Sequence, residues 1–180
     1  MMRREGYSKA IIVFFIILLV WALLQFIAPV ALEQGSVEDL SGSTGIADNE
    51  KKIDEMPFPW NSIYGCGDSL CHQISDRSFF INGNQMPFCA RCTAIWLGLT
   101  IGLGFMIFYK IELDEKFLII IFLSLVPVGI DGVGQLLGFW ESNNITRVIT
   151  GGILGIVFGF AIGIIIDEIK DIISLNKTKE

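Results

Sequence analysis

The sequence predicts an all-α integral membrane protein with four transmembrane helices and a short Cys/His segment at one membrane face. Its 180 residues are 52% hydrophobic and only 18% charged, against about a quarter charged in soluble domains. The apolar residues fall in four long runs, near or above the roughly 18 residues that mark a membrane span. All four cysteines and the single histidine lie between Cys66 and Cys92, in a polar interval between the first two runs. The length fits one domain. A net charge of −6 predicts no nucleic-acid partner, which would want a basic face. Four cysteines are too few for a disulfide scaffold.

The first span is residues 10–31, AIIVFFIILLVWALLQFIAPVA, after the basic stretch MMRREGYSK. A cleaved signal peptide has an apolar core of roughly 7–15 residues. This run is longer, and Pro29 and Phe26 occupy the candidate −3 positions of a cleavage site. Residues 1–31 therefore read as an uncleaved anchor helix. Residues 32–55 are polar, acidic and without apolar period, the composition of a flexible, solvated linker. Residues 56–166 form the membrane core. Trp60 and Tyr64 suit an interfacial aromatic belt, and Asp68 is placed to cap a short helix through Ser75. Asn82-Gly83 between apolar residues signals a tight hairpin, because a type I′ turn needs positive φ at both positions. Pro87 ends its second arm and Cys89 opens the next helix.

The second span is expected at 93–109, the third at 117–139 with Pro127 as a kink, and the fourth at 148–166. Residues 167–180 form a charged tail, with Ile169, Ile172 and Ile173 at helical spacing. Arg3, Arg4 and Lys9, then Lys110 and Lys116, then Lys170, Lys177 and Lys179 flank one side of these spans. Only Lys51, Lys52, Arg77, Arg91 and Arg147 flank the longer polar sequence on the other. The positive-inside bias then places both termini in the cytoplasm and residues 32–92 outside, in a multi-pass protein of the cell membrane. Helices in lipid associate through close backbone contact at small residues. Gly98 and Gly102, Gly134 and Gly138, and the four-residue series Gly151, Gly155, Gly159, Gly163 predict tight packing of the last three spans. The first span has no glycine, so it reads as peripheral or as an oligomer contact.

Asp131 lies nine residues inside the expected third span, roughly 13 Å deep at about 1.5 Å per residue. An ionisable group at that depth marks a functional site by default. Gln135 shares its face. Arg147 and Thr150, at the start of the fourth span, and Arg91, at the start of the second, are the candidate partners. An Asp131–Arg147 contact that merely locks two helices is the plainer reading. A solute or ion carrier using Asp131 and Arg147 is a sharper one.

The hairpin gathers Cys71 and His72 on one side with Cys89 and Cys92 on the other. One reading is a metal site of zinc type, in which Cys71, Cys89 and Cys92 are completed by either His72 or Cys66. Adjacent Cys71 and His72 rarely face one ion, which favours Cys66 on geometry alone. A second reading is thiol–disulfide chemistry. Cys89-Ala-Arg-Cys92 opens a helix, and both the helix dipole and Arg91 favour a thiolate. That layout resembles the architecture of DsbB and the vitamin K epoxide reductases, and the resemblance implies a quinone as cofactor. In the third reading one or two disulfides staple the loop, with three pairings open. The sequence assigns no reaction, so an enzymatic role stays open, with Asp131, Arg147, Cys89 and Cys92 as the candidate catalytic groups.

Cys71-His72-Gln73, Arg77-Ser78-Phe79, Cys89-Ala90-Arg91-Cys92-Thr93, Gly98, Asp131-Gly132, Gln135, Ser142, Asn144, Arg147 and Thr150-Gly151 resemble the core of an uncharacterised prokaryotic family of predicted multi-pass membrane proteins, a domain of unknown function. The resemblance runs from about Tyr64 to Gly159, and Ala94 departs from the glycine that follows CARCT in the family. It implies that Cys71, His72, Cys89 and Cys92 belong to one site, with Cys66 outside it. It also implies that the first helix and acidic linker are an anchor added to the core. Arg91, Gln135, Ser142, Asn144, Arg147 and Thr150 then line one polar pocket above Asp131, roofed by the hairpin. Asn144-Ile145-Thr146 is also a glycosylation sequon, too near the membrane to favour modification.

Overall fold

The computed structural model describes residues 2–3 and 6–177; Met1, Arg4 and Glu5 of the basic leader and residues 178–180 of the tail lie outside them. The chain is mostly helical. Strand β1 (Met2–Arg3) precedes helix α1 (Lys9–Ala31), and two short helices follow, α2 (Glu50–Asp54) and α3 (Trp60–Leu70). A 3₁₀ turn (Ser75–Arg77) leads into the hairpin of β2 (Ser78–Ile81) and β3 (Asn84–Cys89). Helix α4 (Ala90–Phe108), strand β4 (Tyr109–Lys110) and helices α5 (Glu115–Leu136) and α6 (Asn144–Lys177) complete it. Among the described residues, four helices are long and apolar enough to cross a membrane: Lys9–Ala31, Ala90–Phe108, Glu115–Leu136 and Asn144–Ile173.

The spans differ from expectation mainly at their ends. The second begins at Ala90 because Cys89 already stands as its N-cap. The third begins at Glu115, where the Asp114 carboxylate accepts from the Phe117 N–H at 2.8 Å. It runs unbroken through Pro127 and ends at Leu136, not at 139, because Gly138 takes φ +74°. Gly138 lets the Phe139 N–H turn back to the Gly134 carbonyl at 2.9 Å, a C-terminal closure that glycine makes without a Cβ penalty. Asp131 thus sits only five residues from the helix end, roughly 8 Å rather than 13 Å deep. The fourth helix starts at Asn144 and continues well past the expected 166.

Helices α4 and α6 form the central pair. A Cβ on Gly98 would lie 2.5 Å from the Gly152 carbonyl oxygen, and one on Gly159 2.5 Å from that of Leu99. The expected small-residue packing is therefore present between the second and fourth spans, but it does not extend to the third, where Gly134 meets only the Trp140 ring and Gly138 meets nothing within 4 Å. At the end that carries the termini, β1 pairs with β4 and Lys110 meets Asp171 at 3.3 Å. Ile11 of α1, Leu103 and Met106 of α4, Phe117 of α5 and Ile164 of α6 share the core there.

Two expectations about the N-terminal third are corrected. Helix α1 is no mere added anchor: Ile11, Ala22, Gln25, Ala28 and Pro29 are buried. Trp21 stands edge-on to Phe88 and to Trp96, with centroids 6.0 and 5.7 Å away. The 32–55 segment is folded rather than solvated. Val37, Leu40 and Ile53 are buried with Ala28, Ile63 and Tyr64, and this scattered apolar set carries no periodicity that a sequence reading would register. Tyr64 is correspondingly fully buried rather than interfacial. Asp68 lies inside α3 and accepts from the Asn49 backbone and side-chain N–H groups instead of capping a helix.

Candidate functional site

The hairpin is the scaffold of the site. Asn82 and Gly83 take φ +56° and +73°, the pair of positive values that the type I′ signal required. The arms pair Ile81 with Asn84 and Phe80 with Gln85, with a shift between Ser78 and Phe80, and close on Ser78 opposite Cys89. Every residue of β3 is buried. Its two amide side chains tie in the preceding chain. Asn84 donates to the carbonyls of Pro29 and Glu33 at 2.8 and 2.9 Å and accepts from Val37 N–H at 2.9 Å. Gln85 accepts from Leu40 N–H at 3.1 Å and donates to the Gln73 carbonyl at 2.6 Å. Buried amides must find partners, and three of those here, Glu33, Val37 and Leu40, are backbone of the segment that looked like a linker.

The Sγ atoms of Cys71, Cys89 and Cys92 lie within 4.8 Å of one another. Cys71 caps α3, and its sulfur accepts from the Cys89 N–H at 3.4 Å. Cys89 caps α4, and Cys92 follows one turn inside. Phe88 and Trp21 cover the cluster from the apolar side. Cys66 is exposed on α3 and stands outside this group.

His72 is beside the thiols and not among them. Its Nδ1 accepts from the Ile74 N–H at 2.9 Å, so the neutral ring carries its proton on Nε2. Nε2–H is then the donor left on the ring, and His72 is near enough to Cys89 to help lower its pKa. With Nδ1 occupied, the ring turns an N–H rather than a lone pair outward. The next residue, Gln73, makes the turn at φ +42° and donates from Nε2 to the Pro87 carbonyl at 2.7 Å. The three residues of the CHQ motif thus supply a thiol, a ring N–H near Cys89 and the bend that aims them.

The thiols share protons unequally. Cys89 is held far below an ordinary thiol by hydrogen bonds from Cys71 and Cys92, with His72 adding to them against the opposing cost of burial. Cys71 is pushed up to about 11, chiefly by the hydrogen bond it makes to Cys89. One thiolate with proton-bearing neighbours is the state from which a metal ion displaces protons.

Beside the thiols lies the expected polar pocket, with different pairings. Asp131 forms its ion pair with Arg91, not with Arg147, and also accepts from the Ser142 hydroxyl at 2.8 Å. Arg91 stands between the two thiols of the CARC motif, so its helix position hands it to α5. Arg147 Nη1 donates to Asn144 Oδ1 at 3.1 Å. With its amide turned so that oxygen meets donors, Gln135 accepts from Arg147 Nη2 at 3.0 Å and from Arg77 Nη2 at 2.6 Å. Asn144 also reaches the Ser78 carbonyl at 3.5 Å, tying hairpin to α6. Thr150 spends its hydroxyl on the Thr146 carbonyl of its own helix, at 2.9 Å. The sequence reading did not count Arg77 among the pocket residues. Its place in the RSF motif, just before the hairpin, was the available signal.

A family model described as "Predicted membrane protein (DUF2085)" matches residues 71–165. An uncharacterized protein of Methanocaldococcus jannaschii is 39% identical over 104 residues, 56% of this chain and 65% of the relative. An uncharacterized protein of Methanothermobacter thermautotrophicus is 34% identical over 82 residues, 46% of this chain and 74% of the relative. The match to the first thus spans slightly less than two thirds of that relative's length. No solved structure matches the chain.

Proposed function

The chain belongs to that family of predicted membrane proteins, and from this premise we propose that it binds a thiophilic metal ion of zinc type through Cys71, Cys89 and Cys92. One observation carries the reading: three thiols from two separated parts of the chain converge within 4.8 Å. Zinc takes four ligands, and a site with three protein ligands keeps one position for water or a bound group. His72 then acts as a neighbour that donates to the Cys89 sulfur and fixes its direction, the part that outer-shell groups play at metal sites. The distribution of Lys and Arg supports the placement of this end outside the cell and of both termini in the cytoplasm.

The thiolate character of Cys89 at a helix N-terminus favours a second reading, thiol–disulfide exchange with a quinone as the electron acceptor. The carrier reading has less to recommend it, because Asp131 is already paired with Arg91 and hydrogen-bonded by Ser142. Anaerobically purified protein should hold about one zinc per chain, as a single three-thiolate site requires. The Cys89→Ser, Cys92→Ser double variant should lose the metal, while Cys66→Ser and His72→Ala should keep that stoichiometry. Metal-free protein with a Cys89–Cys92 disulfide that a quinone regenerates would overturn the metal reading in favour of the redox one. Liposome uptake of a solute that survives loss of all four cysteines would favour the carrier.

A further inference from the structure

Three arginines converge at the cysteine end from three different elements: Arg77 from the 3₁₀ turn, Arg91 from the first turn of α4 and Arg147 from the first turn of α6. Arg77 and Arg147 share the Gln135 oxygen, at 2.6 and 3.0 Å. Arg91 passes Gly151, where a Cβ would meet its Cγ at 3.1 Å, on its way to Asp131. Arg147 is close enough to both other guanidiniums for their like charge to act on it, with Asp131 as the nearest opposing charge. Arg147 and Asp131 are both buried.

The charges do not balance. Each guanidinium has five N–H donors and no acceptor. Among the described residues, the side-chain acceptors that meet them are Asp131, Gln135 and Asn144, and only Asp131 is charged. The Arg91 Nε is buried with no partner at all. Counting Cys89 as a thiolate still leaves one positive charge unmatched. A divalent ion held by three thiolates leaves the same excess, since that site also carries one net negative charge. Uncompensated charge at a membrane-embedded end is costly, and guanidinium forks pair with oxyanions through parallel N–H bonds. Forks from three directions suit a tetrahedral oxyanion better than a two-oxygen carboxylate.

We propose that Arg77, Arg91 and Arg147 form a binding site for a phosphate group, carried either by free phosphate or by an anionic phospholipid headgroup. Arg77 and Arg91 are partly exposed, so the site is reached from the cysteine end. This site does not depend on the metal reading.

The test uses the full chain, delipidated in a maltoside detergent and free of phosphate. Inorganic phosphate is titrated by calorimetry, and phosphatidylglycerol binding is counted by native mass spectrometry. One of the two probes should bind with one equivalent per chain. Arg77→Gln and Arg147→Gln should each weaken it about tenfold or more, the loss expected for a charge-assisted hydrogen bond. Lys110→Gln, at the other end, should not. Phosphate binding assigns a free anion, and binding of the lipid alone assigns a headgroup. Arg77 is partly exposed, so its variant keeps the fold if the helical signal is unchanged. Binding of neither probe, or equal binding to Arg77→Gln, would overturn the proposal. Zinc content read on the same samples separates the two sites: metal lost with phosphate retained breaks only the metal reading, and the converse breaks only this one.

Discussion

Helices α4 and α6 meet through bare backbone, whereas α5 is attached by charge. In the first pair, glycines oppose carbonyl oxygens and glycine Cα atoms along two turns. Such a contact specifies shape and offers no chemistry. Helix α5 buries only Phe117, Ser124, Asp131 and Gly134. Phe117 holds its start in the apolar core. Its other end is held by the Asp131–Arg91 pair, the Ser142 hydroxyl, the arginine contacts of Gln135 and the Trp140 ring lying over Gly134. The contrast explains where the site is. Lipid offers no water to satisfy a polar group, so a polar attachment has to be complete within the protein. The residues that fasten α5 are for that reason the ones that line the pocket.

The sharpest way to break this contrast is Asp131→Ala. It leaves the Arg91 guanidinium and the Ser142 hydroxyl without their shared acceptor, and removing one partner of a buried ion pair costs about 3–5 kcal/mol. Unfolding in mixed micelles should show that loss. Arg91→Met together with Asp131→Leu should recover most of it, since an apolar pair of similar volume is often neutral. A double variant no better than the single one would mean that charge is not what holds α5.

The backbone seam predicts a somewhat smaller effect of different kind. Gly155→Val places its side chain against the Ile95 carbonyl and the Gly98 Cα, atoms that cannot swing aside. Overpacking of this sort costs up to about 3 kcal/mol. Gly152→Val, three residues earlier on the same helix, meets nothing within 4 Å and should leave the thermal midpoint unchanged. Equal effects at the two positions would show that helix propensity, and not the seam, is being measured.

What could be read in advance follows the same division. The spans, the Asn82-Gly83 turn and the glycine stripes are legible because each is a local pattern of period or spacing. The polar attachments are not. Three arginines stand near the cysteine end, and nothing in their spacing tells which one Asp131 takes; the rotation of α4 hands it Arg91. His72 is adjacent to a thiol in sequence, yet its Nδ1 is taken by the Ile74 N–H and it stands outside the three-thiol group. The folding of residues 32–55 was hidden for another reason. Its partners are single amides, Asn84 and Gln85, 45–48 residues away, and a long-range contact to one side chain leaves no trace in composition.

That hidden contact gives the finest test, at Tyr64. Its hydroxyl donates to the Gln85 carbonyl at 2.7 Å, fully buried between α3 and the hairpin. Tyr64→Phe removes one buried donor and nothing else, so the loss should be about 1 kcal/mol. The question is how that loss is distributed. The 32–55 segment reaches the bundle mainly through the hairpin and α1, not through the α4–α6 seam. Hydrogen exchange at the Val37 and Gln85 amides should therefore quicken about fivefold, the factor that 1 kcal/mol corresponds to, if those amides open by local unfolding. The amides from Gly98 to Gly102 should keep their protection. A uniform rise along the whole chain would instead mean that the cysteine end and the glycine seam open as one cooperative unit, and that the polar attachments of α5 are as much a part of the fold as the backbone contact beside them.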